Sequence, residues 1–204
     1  MALLTEAQAG EVAAAIQKAE QATDAELVTV LAKQADDYHY IPTLWAALLA
    51  LLSPGIVMFT PFWLEVREVI LVQIAVFLVM TIILRLPPVM RRIIPPRIKR
   101  WRASNLARRQ FLENNLHHTD GETGVLIFVS ETERYVEIIV DRGISRHVPD
   151  AQWQDIVNEF TRLVHDGRTL QGFLTAVERC GKLLAEHVPA TREKDELPNH
   201  MIII

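Results

Sequence analysis

The stretch that organises this chain lies at residues 41–86 and reads IPTLWAALLALLSPGIVMFTPFWLEVREVILVQIAVFLVMTIILRL. Residues 41–64 contain no charged side chain, and residues 69–84 are again free of charge. A bilayer core about 30 Å thick is crossed by roughly 20 helical residues. The pattern therefore predicts a transmembrane hairpin at residues 41–87, made of two helices that a short polar turn joins.

The charges on either side of this stretch predict its orientation. Residues 85–112 hold nine Arg or Lys and no acid, whereas residues 1–40 hold seven acids and two lysines. Because positive residues near a span prefer the cytoplasmic side, we expect an inner (cytoplasmic) membrane protein with two spans and both termini in the cytoplasm.

Two other arrangements of the apolar stretch stay open from the sequence. The hairpin could be buried in a soluble core. Alternatively, Pro54 and Pro61 could kink the first segment or make it re-entrant. A re-entrant segment would place the two halves of the chain on opposite faces of the membrane.

Three segments outside the hairpin have the composition of strands. Residues 26–34 are rich in β-branched side chains, and residues 124–130 (GVLIFVS) form an apolar run of strand length. After a turn at residues 131–134, residues 135–140 (YVEIIV) alternate, which predicts that Val136, Ile138 and Val140 share one face.

Helical spacing accounts for most of the remaining chain. Thr5 and Gln8 have the spacing of a capping box ahead of a first helix. Two Pro-Pro pairs interrupt the basic segment, and a helix is expected to resume at residues 101–115. Asp150 and Thr169 are expected to cap two final amphipathic helices.

These elements predict an α/β fold, with a small mixed sheet covered by helices and interrupted by the transmembrane hairpin. The residues 201–204 could join a sheet edge or stay loose. The predicted organisation is a first domain part at 1–40, the hairpin at 41–87, a basic connector at 88–115, a second domain part at 116–188 and a tail at 189–204.

The stretch TGVLIFVSETERYVEIIVDRGISRHVPDAQWQDIV, residues 123–157, resembles the TPM domain family. Gly124 to Leu126 match the family's Gly-Val-Leu, and residues 122–123 stand where Asp-Asn is usual. Asp141 stands where the first glycine of the family's Gly-x-Gly would fall, and Gly143 matches the second. The chain is also similar to a bacterial branch of membrane proteins in which a two-helix insert interrupts the domain.

The resemblance implies two functions of different kinds. Some members are acid phosphatases with a bound divalent cation, and others are accessory or repair factors without known catalysis. Here the Asp-Asn pair is altered and the domain is expected to face the cytoplasm, so phosphatase activity does not follow. We favour an accessory module that binds another membrane protein or a peptide, and whether the protein is an enzyme stays open.

A divalent cation, Ca²⁺ or Mg²⁺, would need several converging oxygen ligands. Asp120, Glu122 and Asp141 could supply them if the loop before one strand lies beside the end of the next. The alternative is that all three are solvated loop acids. His117 and His118 precede this loop and are more simply interpreted as polar loop residues than as a base or metal ligands.

The basic connector could bind anionic lipid headgroups, which attract basic residues near a membrane surface. The residues expected to make these contacts are Arg91, Arg92, Arg97, Arg100 and Trp101. The alternative is that the basic residues only fix the topology. A nucleic-acid partner is not expected, because the rest of the chain is acidic and carries no groove-reading motif.

Overall fold

The computed structural model describes residues 4–59, 61, 64–119, 121–191 and 201–204. The chain divides into two compact units. The sheet unit comprises Met1–Ala35 and Arg100–Ile204, and the hairpin unit comprises Asp36–Lys99.

The order of the elements follows the sequence prediction in most places. The helices are α1 (Glu6–Glu20), α2 (Tyr40–Val57), α3 (Val66–Arg85), α4 (Pro87–Ile93), α5 (Pro96–Glu113), α6 (Arg142–Ser145), α7 (Asp150–His165) and α8 (Thr169–His187). The strands are β1 (Glu26–Ala32), β2 (Gly124–Ser130), β3 (Tyr135–Val140) and β4 (Met201–Ile203).

The four strands form one mixed sheet in the order β3-β2-β1-β4. Strand β1 is parallel to β2 and to β4, whereas β2 and β3 form an antiparallel hairpin. The predicted α/β class, with a small mixed sheet covered by helices, is confirmed. Strand β4 settles the position of the last residues, because Met201 pairs with Thr29 at the edge of the sheet.

Helices cover both faces of this sheet, which is why β1 and β2 are apolar at most positions. Every residue of these two strands is buried. One face packs against α1, α7 and α8, and the other packs against α5. The first face includes Leu27, Leu31, Val125, Ile127 and Val129; the second includes Val28, Val30, Ala32, Leu126 and Phe128.

The predicted alternation of β3 is confirmed by its packing. Val136, Ile138 and Val140 pack against the core on the side of α1, α7 and α8, whereas Tyr135 and Ile139 pack on the side of α5. The two sets differ by one residue in register, as expected for successive side chains of a strand.

The capping box of α1 is confirmed. The amide of Thr5 donates to Gln8 Oε1 at 2.9 Å, and the amide of Gln8 donates to Thr5 Oγ1 at 3.4 Å. The expected caps of α7 and α8 are wrong by one residue. Asp150 and Thr169 are the first helical residues, and the cap positions are Pro149 and Arg168, without side-chain cap bonds.

Helix α5 begins earlier than expected, at Pro96 instead of residue 101. Proline is tolerated in the first helical turn, because the backbone N–H groups there make no hydrogen bond within the helix. The second Pro-Pro pair therefore ends one helix and begins the next, and Ile94 and Pro95 separate α4 from α5.

In the hairpin unit, α2 continues past Pro54 and ends at Val57. Proline lacks the amide that would bond to the carbonyl of Ala50, four residues earlier. The hydroxyl of Ser53 donates to that carbonyl at 2.8 Å and replaces the missing donor. The buried side of α2 carries small residues, among them Ala46 and Ala50.

Helices α2 and α3 are both long and apolar enough to cross a membrane. Among the described residues of α3, none is buried, and large apolar side chains such as Leu71, Leu78 and Ile82 are exposed. At the start of α3 the amide of Glu65 donates to the Glu68 carboxylate at 2.9 Å, so two of the turn's charges serve as a cap.

Candidate functional site

The candidate site lies where β2 begins and β3 ends. The amide of Asp141 donates to the carbonyl of Gly124 at 2.9 Å, and the amide of Gly143 donates to the carbonyl of Glu122 at 2.9 Å. These bonds hold the loop before β2 against the segment that follows β3. The hypothesis of a cation site requires that these two segments lie side by side, and the structure shows that they do.

The loop before β2 is tight, with left-handed backbone at Gly121 (φ 89°) and Glu122 (φ 57°). The hydroxyl of Thr119 accepts from the amide of Thr123 at 2.9 Å and closes the turn. A Cβ atom on Gly143 would lie 2.2 Å from the carbonyl oxygen of Gly121. The close approach of the two segments therefore requires glycine at 143.

The two carboxylate oxygens of Asp141 have different environments. Oδ1 accepts from the amide of Arg142 at 2.7 Å and caps the short helix α6. Oδ2 is buried and has no hydrogen-bond partner among the described residues. A buried acceptor without a donor is costly, so this oxygen is the group at the site most able to take a cation or a water.

The other two predicted ligands are less well defined. The side chain of Glu122 is half exposed and lies 4.0 Å from the Arg146 guanidinium. Asp120 lies outside the described residues. In the part of the chain that the structure describes, no group of three or more His, Cys, Asp or Glu side chains could hold a metal ion. The three-carboxylate cation site therefore stays a prediction.

The histidine pair lies close to the same loop. The rings of His117 and His118 are 4.1 Å apart, and the buried Nδ1 of His117 has no hydrogen-bond partner within the described ranges. The two histidines form a 3₁₀ turn with Leu116, whose carbonyl oxygen would lie 2.1 Å from a Cβ atom on Gly124. The sequence identified them as loop residues but could not show this unpaired nitrogen.

The residues expected to contact lipid headgroups can be placed one by one. Arg92 is exposed on α4, and Arg97 is exposed on α5. Arg100 and Trp101 are exposed on α5 as well, and the Arg102 guanidinium lies 4.9 Å from the centre of the Trp101 ring. The side chain of Arg91 lies outside the described residues. Lipid binding by this set stays a prediction.

A cavity of about 500 Å³ lies at the opposite end of β2 and β3 from the candidate site. Its apolar wall includes Val129, Val136 and Val164, from β2, β3 and α7. The charged or titratable side chains at the cavity are those of Glu131, Arg134, Tyr135 and His165. Sequence reasoning missed this cavity, because its walls come from three separate elements and carry no local motif.

Two groups of the sheet unit have shifted pKa values. Burial raises the pKa of the Tyr135 hydroxyl, which donates to Glu137 Oε2 at 3.0 Å. Burial in the core raises the pKa of the Cys180 thiol to about 12. Cys180 is therefore an unreactive core thiol.

Comparison with known proteins supports the resemblance seen in the sequence. Residues 90–183 match the TPM domain family. The solution NMR structure of BA42 protein from the psychrophilic bacterium Bizionia argentinensis is similar in fold, with a TM-score of 0.61 and 19% sequence identity. The similarity covers 98% of this chain and 94% of BA42. No curated protein matches the chain significantly. Residues 90–183 are therefore a TPM domain.

Proposed function

We propose that this protein is an integral protein of the inner (cytoplasmic) membrane, with a cytoplasmic TPM domain that binds another membrane protein as an accessory module. The observation that carries the proposal is the pair of apolar helices α2 and α3, inserted between two neighbouring strands of the domain. Exposed large apolar side chains along both helices suit a lipid environment better than water.

The position of the hairpin in the sheet supports two full spans. Strand β1 precedes the hairpin and β2 follows it, yet they pair in register from Glu26 with Gly124 to Ala32 with Ser130. Both strands must therefore lie on the same side of a membrane. Two spans return the chain to the side it left, whereas one re-entrant segment followed by one span would separate the strands.

The cytoplasmic orientation rests on the basic residues after α3. Arg85 ends that helix, and Arg92 and Arg97 follow it within the distance over which positive charge sets topology. The opposite turn contains Glu65, Arg67 and Glu68 and carries little net charge. The accessory role rests on the family resemblance, which includes factors without known catalysis.

Cysteine accessibility tests the topology. Leu64→Cys lies in the outer turn and Thr132→Cys lies in the exposed β2–β3 turn. A membrane-impermeant maleimide added to spheroplasts should label the first variant and should label the second only after permeabilisation. The unaltered protein is the control, because buried Cys180 should not react. Labelling of both variants before permeabilisation, or recovery of the protein in a carbonate wash, would contradict the proposal.

A second candidate function is a cation-assisted phosphatase, and the buried, unpaired Oδ2 of Asp141 is the observation that favours it. This oxygen would hold Ca²⁺ or Mg²⁺ together with Glu122, and the cation would neutralise charge on a phosphate ester. The described residues supply only part of such a ligand set.

A generic phosphate ester, assayed with and without Ca²⁺ or Mg²⁺, tests this second function. Turnover that Asp141→Asn removes and Asp155→Asn retains would support it, because Asp155 is an exposed acid of α7 away from the loop. If neither cation gives turnover or shifts the melting temperature of the protein, the phosphatase function is wrong.

A further inference from the structure

The outer edge of β3 has a row of backbone groups that find no partner in the part of the chain that the structure describes. Strand β3 is the last strand of the sheet and pairs only with β2 among the described residues. The amide of Asp141 bonds to the carbonyl of Gly124, which identifies that pair as hydrogen-bonded. Since such pairs alternate along an antiparallel ladder, Tyr135, Glu137 and Ile139 bond inward to β2.

The three residues between them therefore point their amides and carbonyls away from the sheet. These residues are Val136, Ile138 and Val140, and each is only partly buried. Natural edge strands are usually protected by lysine, proline, a bulge or a covering segment. Tyr135–Val140 contains neither lysine nor proline, and it pairs residue by residue with β2 without a bulge.

The one charged residue of the strand does not protect the edge. The Glu137 carboxylate accepts from the Tyr135 hydroxyl at 3.0 Å and from the Ser104 hydroxyl at 3.4 Å, on the face covered by α5. The other face carries the apolar side chains of the outward-bonding residues. An added strand would thus place its hydrogen-bonded residues on the apolar face, beside α7.

The cavity of about 500 Å³ lies at the start of this edge. Val136 lines it together with Val129 and Val164. A residue of an added strand that paired with Val136 would project its side chain from the same face and toward this cavity. The cavity therefore favours a large apolar side chain at that position.

Arg134 sets the direction of the added strand. It precedes β3, it is exposed, and its side chain has no hydrogen bond or ion pair among the described residues. A strand that runs antiparallel to β3 reaches Arg134 with its carboxyl end. A terminal carboxylate there would gain a charge-assisted hydrogen bond, whereas the amino terminus of a parallel strand would meet a like charge.

We propose that the TPM domain binds the extended, apolar C-terminal tail of a partner protein by adding it antiparallel to β3, with its terminal carboxylate at Arg134 and an apolar side chain in the cavity beside Val136. This inference deepens the proposed accessory function and depends on it for its biological setting. The binding surface itself belongs to the sheet unit and does not depend on the topology of the hairpin.

Binding of a defined peptide tests the inference. The probe is a fluorescein-labelled octapeptide, Ser-Lys-Ser-Val-Thr-Val-Thr-Val with a free carboxylate, titrated against the full chain in detergent. The structure predicts saturable binding and slower hydrogen exchange at the amides of Val136, Ile138 and Val140, with little change at Ile139. An amidated peptide should bind roughly tenfold more weakly, since one charge-assisted contact is lost.

Matched variants separate the cavity and the arginine from general effects on folding. Thr161→Trp on the cavity wall should abolish binding, whereas Gln154→Trp, an exposed position two turns away on α7, should not. Arg134→Gln should weaken binding of the free-carboxylate peptide roughly tenfold, and Arg162→Gln should leave it unchanged. No peptide binding, or binding without protection of the three outer amides, would overturn the inference even if the membrane topology is correct.

Discussion

The amide of Gly143 donates a 2.9 Å hydrogen bond to the carbonyl oxygen of Glu122, and this bond joins the segment after β3 to the loop before β2. A Cβ atom at 143 would lie 2.6 Å from that oxygen, which is backbone and cannot rotate away. Gly143→Ala should therefore force the two segments apart and reduce the free energy of unfolding by about 1–3 kcal/mol.

Gly10→Ala is the matched control for this substitution. Gly10 lies inside α1 with no atom within 4 Å of an added Cβ. Alanine there should stabilise the protein by about 0.5–1 kcal/mol, because it restricts the unfolded chain and suits a helix. Thermal unfolding in detergent, followed by circular dichroism, compares the two. Equal melting temperatures for both variants would show that the loop contact at 143 is not as tight as described.

Because its thiol is buried, Cys180 should make the free energy of unfolding decrease as the pH rises in the alkaline range. Its pKa is raised to about 12 by burial, from the usual value near 9.0. The folded state thus keeps the proton over a range in which the unfolded state loses it. The contribution of the buried thiol to the free energy of unfolding is fully present below pH 9. It should fall by up to about 1.4 kcal/mol per pH unit between pH 9 and 12.

Other groups titrate in the same range, so the difference between the natural protein and Cys180→Ala isolates the thiol. Urea unfolding at pH 8 and at pH 10 should show a smaller loss of stability in the variant. A maleimide should label the natural protein only when urea unfolds it, since the thiolate is the reactive form. Rapid labelling of the folded protein at pH 8 would contradict both the burial and the shifted pKa.

Ser53 and Pro54 should be coupled energetically, because Ser53 supplies the donor that Pro54 lacks. In the natural protein, Ser53→Ala leaves the carbonyl of Ala50 without a donor and should cost about 1–2 kcal/mol. In a Pro54→Ala background the helical amide is restored and the same change should cost little. A double-mutant cycle from thermal unfolding in detergent measures the coupling. Equal costs of Ser53→Ala in both backgrounds would show that the hydroxyl does not replace the missing amide.

The basic connector should make stability depend on the lipid. We expect a higher melting temperature in nanodiscs of anionic lipid than in zwitterionic ones, since each basic residue near the surface gains about 1 kcal/mol. Replacing Arg91, Arg92, Arg97 and Arg100 by glutamine should remove most of this difference. Replacing Arg162 and Arg168 on the sheet unit should not. A difference that the four connector substitutions leave unchanged would end the lipid-binding hypothesis.

Local pattern was sufficient to predict the elements whose environment is uniform along their length. Strands β2 and β3 were predicted at Gly124–Ser130 and Tyr135–Val140, and the structure has the same bounds. Both strands carry a continuous apolar or alternating signal, and the turn between them is short. The resemblance to the TPM family was seen in the same stretch, which lies within the matched residues 90–183.

Features that depend on distant pairing could not be predicted. Strand β4 has only three residues and exists because β1 offers an edge, which no local signal records. The cavity beside Val136 likewise needs Val164 from α7. At the candidate site, the sequence left open whether the loop before β2 lies beside the end of β3, and the structure shows that these two segments are adjacent. The unpaired Oδ2 of Asp141 depends on side-chain orientation, which sequence spacing does not determine.

The pairing of β1 with β2 imposes an order on biosynthesis. Glu26 leaves the ribosome well before Gly124, its partner in the sheet. At about 5–20 residues per second the delay is roughly 5–20 seconds, and during that time α2 and α3 are translated. In the proposed topology, membrane insertion should therefore be complete before the sheet can close, and the largely apolar strand β1 must wait without its neighbour. Early arrest of translation, before β2 is made, should therefore leave β1 accessible to proteolysis.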